Sequence, residues 1–180
     1  MQAPSDVAAL PKNGAAASTF DFDALFASDY GRIARLVARV IRDTSRAEDL
    51  AVEAFWRLWK TPGAQAESAA GWLRRTAVRL ALDELRSRAR RERYERLLTF
   101  GWKPQTPDEL FLASEEQGRV RTVLAAIPKR DAELLLLRSD DTSYEELAGT
   151  LSINPASVGT LLSRARQTFR KEYVKRYGQQ

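Results

Sequence analysis

Two capped helices held only three residues apart restrict this chain more than any other feature of its sequence. Ser143-Tyr144-Glu145-Glu146 has capping-box form, the hydroxyl accepting from the third backbone N–H and the glutamate reaching back, so a helix begins at Tyr144. Asn154-Pro155 is an N-cap followed by proline at the first helical position, which opens a second helix running to about Tyr173. The first helix ends at Leu151, and so short a connection forces the two to cross steeply instead of lying antiparallel, as in a helix-turn-helix. The packing residues agree: Ala148 is small at the crossing, Ile153 plugs the turn, and Val158, Leu161 and Leu162 face the first helix. Ser152 occupies a turn position that often takes glycine for its positive φ, at a cost of up to about 1 kcal/mol.

The remaining periodicities are helical too, and no strand pattern is present, so the fold class is all-α with two small helical domains. Ile33, Leu36, Val37, Val40 and Ile41 recur at i, i+3, i+4, i+7 and i+8, preceded by a shorter apolar segment, Phe22 to Phe26, read as a separate helix. Ser45-Arg46-Ala47-Glu48 has capping-box form and predicts a helix to about Trp59, which Thr61-Pro62-Gly63 terminates. Phe55, Leu58 and Trp59 can face a core, leaving Val52 and Trp56 on another side of a helix that also carries Asp49 and Glu53, the pattern of a docking surface for a partner protein. A long helix follows from Ala69 to about Arg93, with Leu73, Ala77, Leu80, Ala81 and Leu85 inward.

Gly101, Pro104 and Thr106-Pro107 then break the pattern, which puts a linker over 98–107 between a domain at 19–97 and one at 108–177. Trp102 within that linker has no assigned part. Thr106-Pro107-Asp108-Glu109 opens a helix to about Ala126, and Pro128 punctuates before a short helix, Lys129 to Arg138, whose four consecutive leucines require neighbours on nearly every side. Residues 1–18 have no apolar core of signal-peptide type and read as a disordered leader.

Charge distribution points to a polyanion. The long helix carries Arg74, Arg75, Arg79, Arg86, Arg88, Arg90, Arg91 and Arg93 against only Asp83, Glu84 and Glu92, whereas a solvated helix would intersperse acids for i, i+4 pairing. Trp72 at its start, near the loop 62–68, offers an aromatic surface for an unstacked base. In the helix-turn-helix, the second helix enters a major groove, so Ser157, Thr160, Ser163 and Arg164 are candidate base readers, and Arg166, Arg170 and Lys171 candidate phosphate contacts. The chain has no cysteine and no histidine, which removes thiol nucleophiles, imidazole bases and the usual zinc ligands, and its acids form no obvious metal set. No catalytic residue, metal site or cofactor is therefore expected. No stretch reaches the roughly 18 apolar residues of a membrane span, and the expected location is the cytoplasm.

The order of these parts resembles extracytoplasmic-function sigma factors of the sigma-70 family. Residues 47–55 (Ala-Glu-Asp-Leu-Ala-Val-Glu-Ala-Phe), then Trp72-Leu73 leading through Ala77 and Asp83 to Arg86, resemble region 2; Ile127-Pro128-Lys129-Arg130, the leucine run, residues 143–148 and Ser163-Arg164-Ala165-Arg166 resemble region 4. The resemblance implies that Asp49, Val52, Glu53 and Trp56 bind core RNA polymerase at its clamp. It implies that Trp72, Arg75, Arg79, Arg86, Arg88, Arg90 and Arg91 capture the melted minus-ten strand of promoter DNA, and that region 4 sits on the polymerase flap and reads the minus-thirty-five duplex. An anti-sigma factor is a further implied partner. Val52 replaces a usual glutamine, Arg79 a usual asparagine, and Gly159 and Leu161 stand where basic residues are frequent. Two rival readings are a sigma-like decoy for an anti-sigma factor, which would not need the arginine density, and an enzyme acting on DNA, which would lack the customary catalytic groups.

Overall fold

Helical periodicity is realised throughout: in the computed structural model, which describes residues 20–66, 68–98 and 110–178, seven α-helices and one short 3₁₀ turn account for the regular structure, with no strand among the described residues. The leader, Trp102 and the Thr106-Pro107-Asp108-Glu109 opening lie outside the described residues.

α1 (Phe22–Val40) is continuous where the apolar spacing predicts two helices. Gly31 is its weakest helix former and costs about 1 kcal/mol, far less than is recovered by burying Ile33, Leu36, Val37 and Val40. Asp21 caps it, its carboxylate accepting from the Ala24 N–H at 2.9 Å. α2 (Thr44–Trp59) starts earlier than the Ser45 box predicts, because Asp43 takes the cap and accepts from the Arg46 N–H at 3.0 Å. Aspartate caps as well as serine and adds a charge that the helix N-terminus favours. α3 (Ala69–Leu98) runs five residues past the expected Arg93. α4 (Leu110–Ala126), α5 (Lys129–Arg138), α6 (Tyr144–Leu151) and α7 (Pro155–Tyr177) complete the chain, the last ending four residues beyond Tyr173.

α1, α2 and α3 pack mutually through Leu36, Val37, Phe55, Leu58, Leu73 and Leu82. Trp59 does not join them; it is 58 % exposed and meets the ring of Phe22 edge-on at 5.2 Å. α5 lies at the centre of the second half, with Leu134, Leu136 and Leu137 buried and Leu135 half-buried, and α7 places Val158, Leu162 and Ala165 against it and α6. The dense leucine run thus finds the neighbours it needs.

The two halves do not hang apart on a tether. α3 packs on α5 and α6 as well as on α1 and α2, and the two apolar sets merge into one buried cluster. At Gly71 the approach is so close that a Cβ would stand 2.8 Å from Thr150 Oγ1. Polar groups far apart in the chain, such as Arg75 and Glu133, line this seam, and no local periodicity registers them.

In the turn between α6 and α7, Ser152 has φ 53° and ψ 49°, the left-handed conformation expected of a glycine-preferring position. Replacing it, Ser152→Gly, is expected to raise stability by up to about 1 kcal/mol, seen as a higher urea midpoint with an unchanged slope.

Candidate nucleic-acid interface

α7 is built to present one face outward. Asn154 caps it, its side-chain oxygen accepting from the Ala156 N–H at 2.9 Å, and Pro155 sets the first turn. The reciprocal capping box of α6 is complete: Ser143 Oγ accepts from the Glu146 N–H at 3.2 Å while Glu146 accepts from the Ser143 N–H at 2.9 Å. That backbone hydrogen bond, aided by the nearby Arg74 charge, holds the Glu146 carboxyl below the usual carboxylate range.

At about 100° per residue, Thr160, Ser163 and Arg164 fall opposite the buried Val158, Leu162 and Ala165. All three are exposed; Ser157 and Arg170, also exposed, flank them. Arg166 is exposed as well, at the edge of this face, where it lines an apolar cavity with Val120, Leu124 and Phe169. Gln167 and Lys171 occupy the middle of the outward face and are exposed. Gln167 escaped the sequence reading, although the same helical arithmetic, counted three residues on from Arg164, locates it. Leu161 is half-buried beside Ile153 and Leu134, so its apolar character serves packing.

The candidate strand-binding residues of α3 divide into two groups. Trp72, Arg75, Arg79, Arg86 and Arg90 share a row about 60° wide, whereas Arg88 and Arg91 point to the far side. There Glu84 gathers them: Arg88 Nε donates to it at 2.9 Å, Arg91 lies at 3.5 Å, and Arg46 of α2 donates at 3.1 Å. Arg46 therefore fastens the start of α2 to α3, and Arg88, 3.8 Å from Asp43, adds to the link, while Arg91 stays largely exposed. The hydrogen bonds from Arg88 and Arg46 lower the Glu84 carboxyl below its usual range against the opposing effect of burial.

A carboxylate lowered in the folded state stabilises fully above its unfolded pKa, and that contribution disappears as pH falls through the folded value. Glu84→Gln is accordingly expected to cost about 1–2 kcal/mol at pH 7. The gap from the parent protein should close toward about pH 3, below the ordinary glutamate range, when urea melts are compared at the two pH values.

The row on α3 begins beside a cavity of about 350 Å³ whose lining includes Trp56, Lys60, Trp72, Arg75 and Arg79. Lys60 Nζ stands 4.6 Å from the centre of the Trp56 ring, a cation–π contact at the rim. Two indoles and four cations, Arg57 being the fourth, around one recess match a nucleobase and its phosphate. Lys60 was not singled out from the sequence; only the turn after α2 brings it there.

Asp49, Val52, Glu53 and Trp56 lie at i, i+3, i+4 and i+7 on one face of α2. Val52 and Trp56 are 50 % and 56 % exposed, and Glu53 accepts from Arg57 at 2.7 Å. The face expected to dock a protein thus adjoins the recess, with Trp56 common to both. Among the described residues no group of three or more acidic, cysteine or histidine side chains could hold a metal ion, and no helix is long and apolar enough to cross a membrane.

Comparison with known families places Sigma-70 region 2 on residues 25–91 and Sigma-70, region 4 on residues 117–169. The chain is similar to a probable RNA polymerase sigma factor, RfaY, of Xanthomonas campestris pv. campestris, at 33 % identity over 164 residues, covering 82 % of this chain and 41 % of that protein. It is also similar to the ECF RNA polymerase sigma factor SigE of Mycolicibacterium smegmatis, at 27 % identity over 180 residues, covering 96 % of this chain and 69 % of the relative. This chain thus spans less than half the length of the first relative and about two thirds of the second. A solved structure of the sigma factor RpoE in complex with the anti-sigma factor NepR from Bartonella quintana has the same fold, with a TM-score of 0.50 and 18 % identity, covering 84 % of this chain and 96 % of that one.

Proposed function

Since the chain belongs to the sigma-70 family, as a member of its extracytoplasmic-function type, we propose that it binds core RNA polymerase and directs transcription from particular promoters. In this reading the domain at 19–97 uses Asp49, Val52, Glu53 and Trp56 to grip polymerase. The recess at Trp72, continued by the row through Arg75, Arg79, Arg86 and Arg90, takes the separated minus-ten strand. A base leaving the stack is held between indoles while guanidinium groups follow the phosphates, so strand opening is driven by trapping, and affinity by released counterions. The domain at 108–177 lies on the polymerase flap and reads the minus-thirty-five duplex with Thr160, Ser163 and Arg164, flanked by Ser157 and Arg170. Arg88 braces α3 from behind through Glu84 and Asp43, while Arg91 and Arg166, both exposed, stand ready for phosphates beside these surfaces.

The observation that carries the proposal is the α3 row itself, an aromatic recess extended by arginines on one face, in a chain that also presents an outward recognition helix. The protein acts as a subunit and not as an enzyme, needs no cofactor, and works in the cytoplasm with polymerase. A regulator of the anti-sigma class fits this reading, because the solved relative is held by one. The decoy reading has no observation in its favour, since a decoy has no use for the α3 row. The test is to reconstitute the full chain with core polymerase on genomic DNA and sequence the transcripts: starts sharing upstream elements that core polymerase alone does not use support the proposal, and an unchanged transcript set refutes it.

A further inference from the structure

We propose that the described arrangement is a self-inhibited closed state in which Glu133 of α5 occupies, on the α3 arginine row, the place of a nucleic-acid phosphate. The inference rests on the function proposed above and adds its regulation. Glu133 is 4 % exposed, and its Oε1 accepts from Arg75 Nε at 2.8 Å and from Arg79 Nε at 3.0 Å. A carboxylate so buried would be unfavourable without partners, and the partners it has are two of the guanidinium groups that line the recess.

Further negative groups continue the imitation. Arg75 Nη1 donates to the Thr150 carbonyl at 3.2 Å in the last turn of α6, and Arg86 Nη2 donates to the Ile127 carbonyl at 2.9 Å just past the end of α4. Carbonyls at helix C-termini carry the negative end of the helix dipole. The second half of the chain therefore sets a carboxylate and two helix ends against the row at Arg75, Arg79 and Arg86, much as successive phosphates would. These groups and a DNA strand cannot occupy the same guanidinium hydrogens together.

A second seam holds the halves in register. Arg32 Nε donates to Asp140 Oδ2 at 2.8 Å, Arg39 donates to the Ser139 carbonyl at 2.9 Å, and Lys129 donates to Asp83 at 2.7 Å. The outward face of α7 takes no part in this closure, since Thr160, Ser163 and Arg164 stay exposed. The closed chain consequently masks single-strand capture while leaving duplex reading open. Parting of the halves, as polymerase spreads them, exposes the row.

The chain has no cysteine, so one engineered pair reports on closure alone. A Cβ at position 71 lies 3.7 Å from Thr150 Cβ, inside the roughly 3.5–4.5 Å range of disulfides. The full-length chain with G71C and T150C should crosslink under mild oxidant. Binding of a fluorescein-labelled 20-nucleotide single strand of random sequence, followed by anisotropy, should fall in the crosslinked form and return on reduction. E133Q, which keeps the shape but removes the charge, should bind that strand at least about fivefold more tightly than the parent, because charge-assisted bonds are about twice as strong as neutral ones.

Failure to crosslink, or equal binding by oxidised and reduced forms, overturns the closed state. Equal binding by E133Q and parent, in a chain whose binding is lost when Arg79, Arg86 and Arg90 are replaced, overturns the carboxylate's role and leaves the proposed function standing. No binding by any form, together with no transcripts from the reconstituted enzyme, removes the function and the inference with it.

Discussion

With Arg79, Arg86 and Arg90 all changed to alanine, the protein is expected to join core polymerase at least as tightly as the parent and to open no promoter. The three share the α3 row and stand on a different helix from Val52, so their removal takes cations from the strand path without touching the docking face. Each phosphate left without its arginine lowers the salt slope of binding by about 0.7 on a single strand, so the slope should fall by about two. Thymines of the minus-ten element, reactive to permanganate with the parent holoenzyme, should stay protected. Arg79 and Arg86 also hold Glu133 and the Ile127 carbonyl, so the same variant loosens the seam between the halves. If that loosening outweighed the missing cations, opening would rise; a rise, or a failure to bind polymerase, refutes the assignment of the row.

The second large effect lies on α2. Val52→Asp with Trp56→Ala is expected to weaken polymerase binding by at least about 30-fold, the factor corresponding to an interface aromatic worth about 2 kcal/mol. Stability should change by no more than about 0.5 kcal/mol, since both side chains are at least half exposed. The two single variants separate roles. Val52→Asp should reduce only polymerase affinity, measured by fluorescence titration of core enzyme, while Trp56→Ala should also reduce single-strand binding because its ring lines the recess. Equal behaviour of the two in the strand assay would remove Trp56 from the nucleic-acid site.

Local chemistry is readable wherever one strong signal acts alone. Pro128, the Ser143 box and Asn154-Pro155 each set a helix start that the structure reproduces. Ser45 misleads because Asp43, two residues earlier, takes the cap by accepting from the Arg46 N–H and draws Ser45 into the first turn, and a pattern match does not rank two good caps. The join between Phe26 and Ile33 resembles a boundary because its apolar residues thin out there, yet nothing in that stretch stops a helix. Among site residues, helical angles alone could have separated Arg88 and Arg91 from the row and brought in Gln167. The pairing of Arg75 with Glu133 is of another kind, since it joins residues 58 apart in the chain through tertiary docking and leaves no periodic trace.

α3 belongs to both halves at once, an uninterrupted rod of 30 residues, about 45 Å from end to end. Such a rod transmits displacement without absorbing it: a tilt of about 10° at one end sweeps the other by about 8 Å. The halves cannot peel open by degrees through bending within it. The opening proposed above therefore requires α4, α5 and α6 to slide or lift from its flank as stiff bodies.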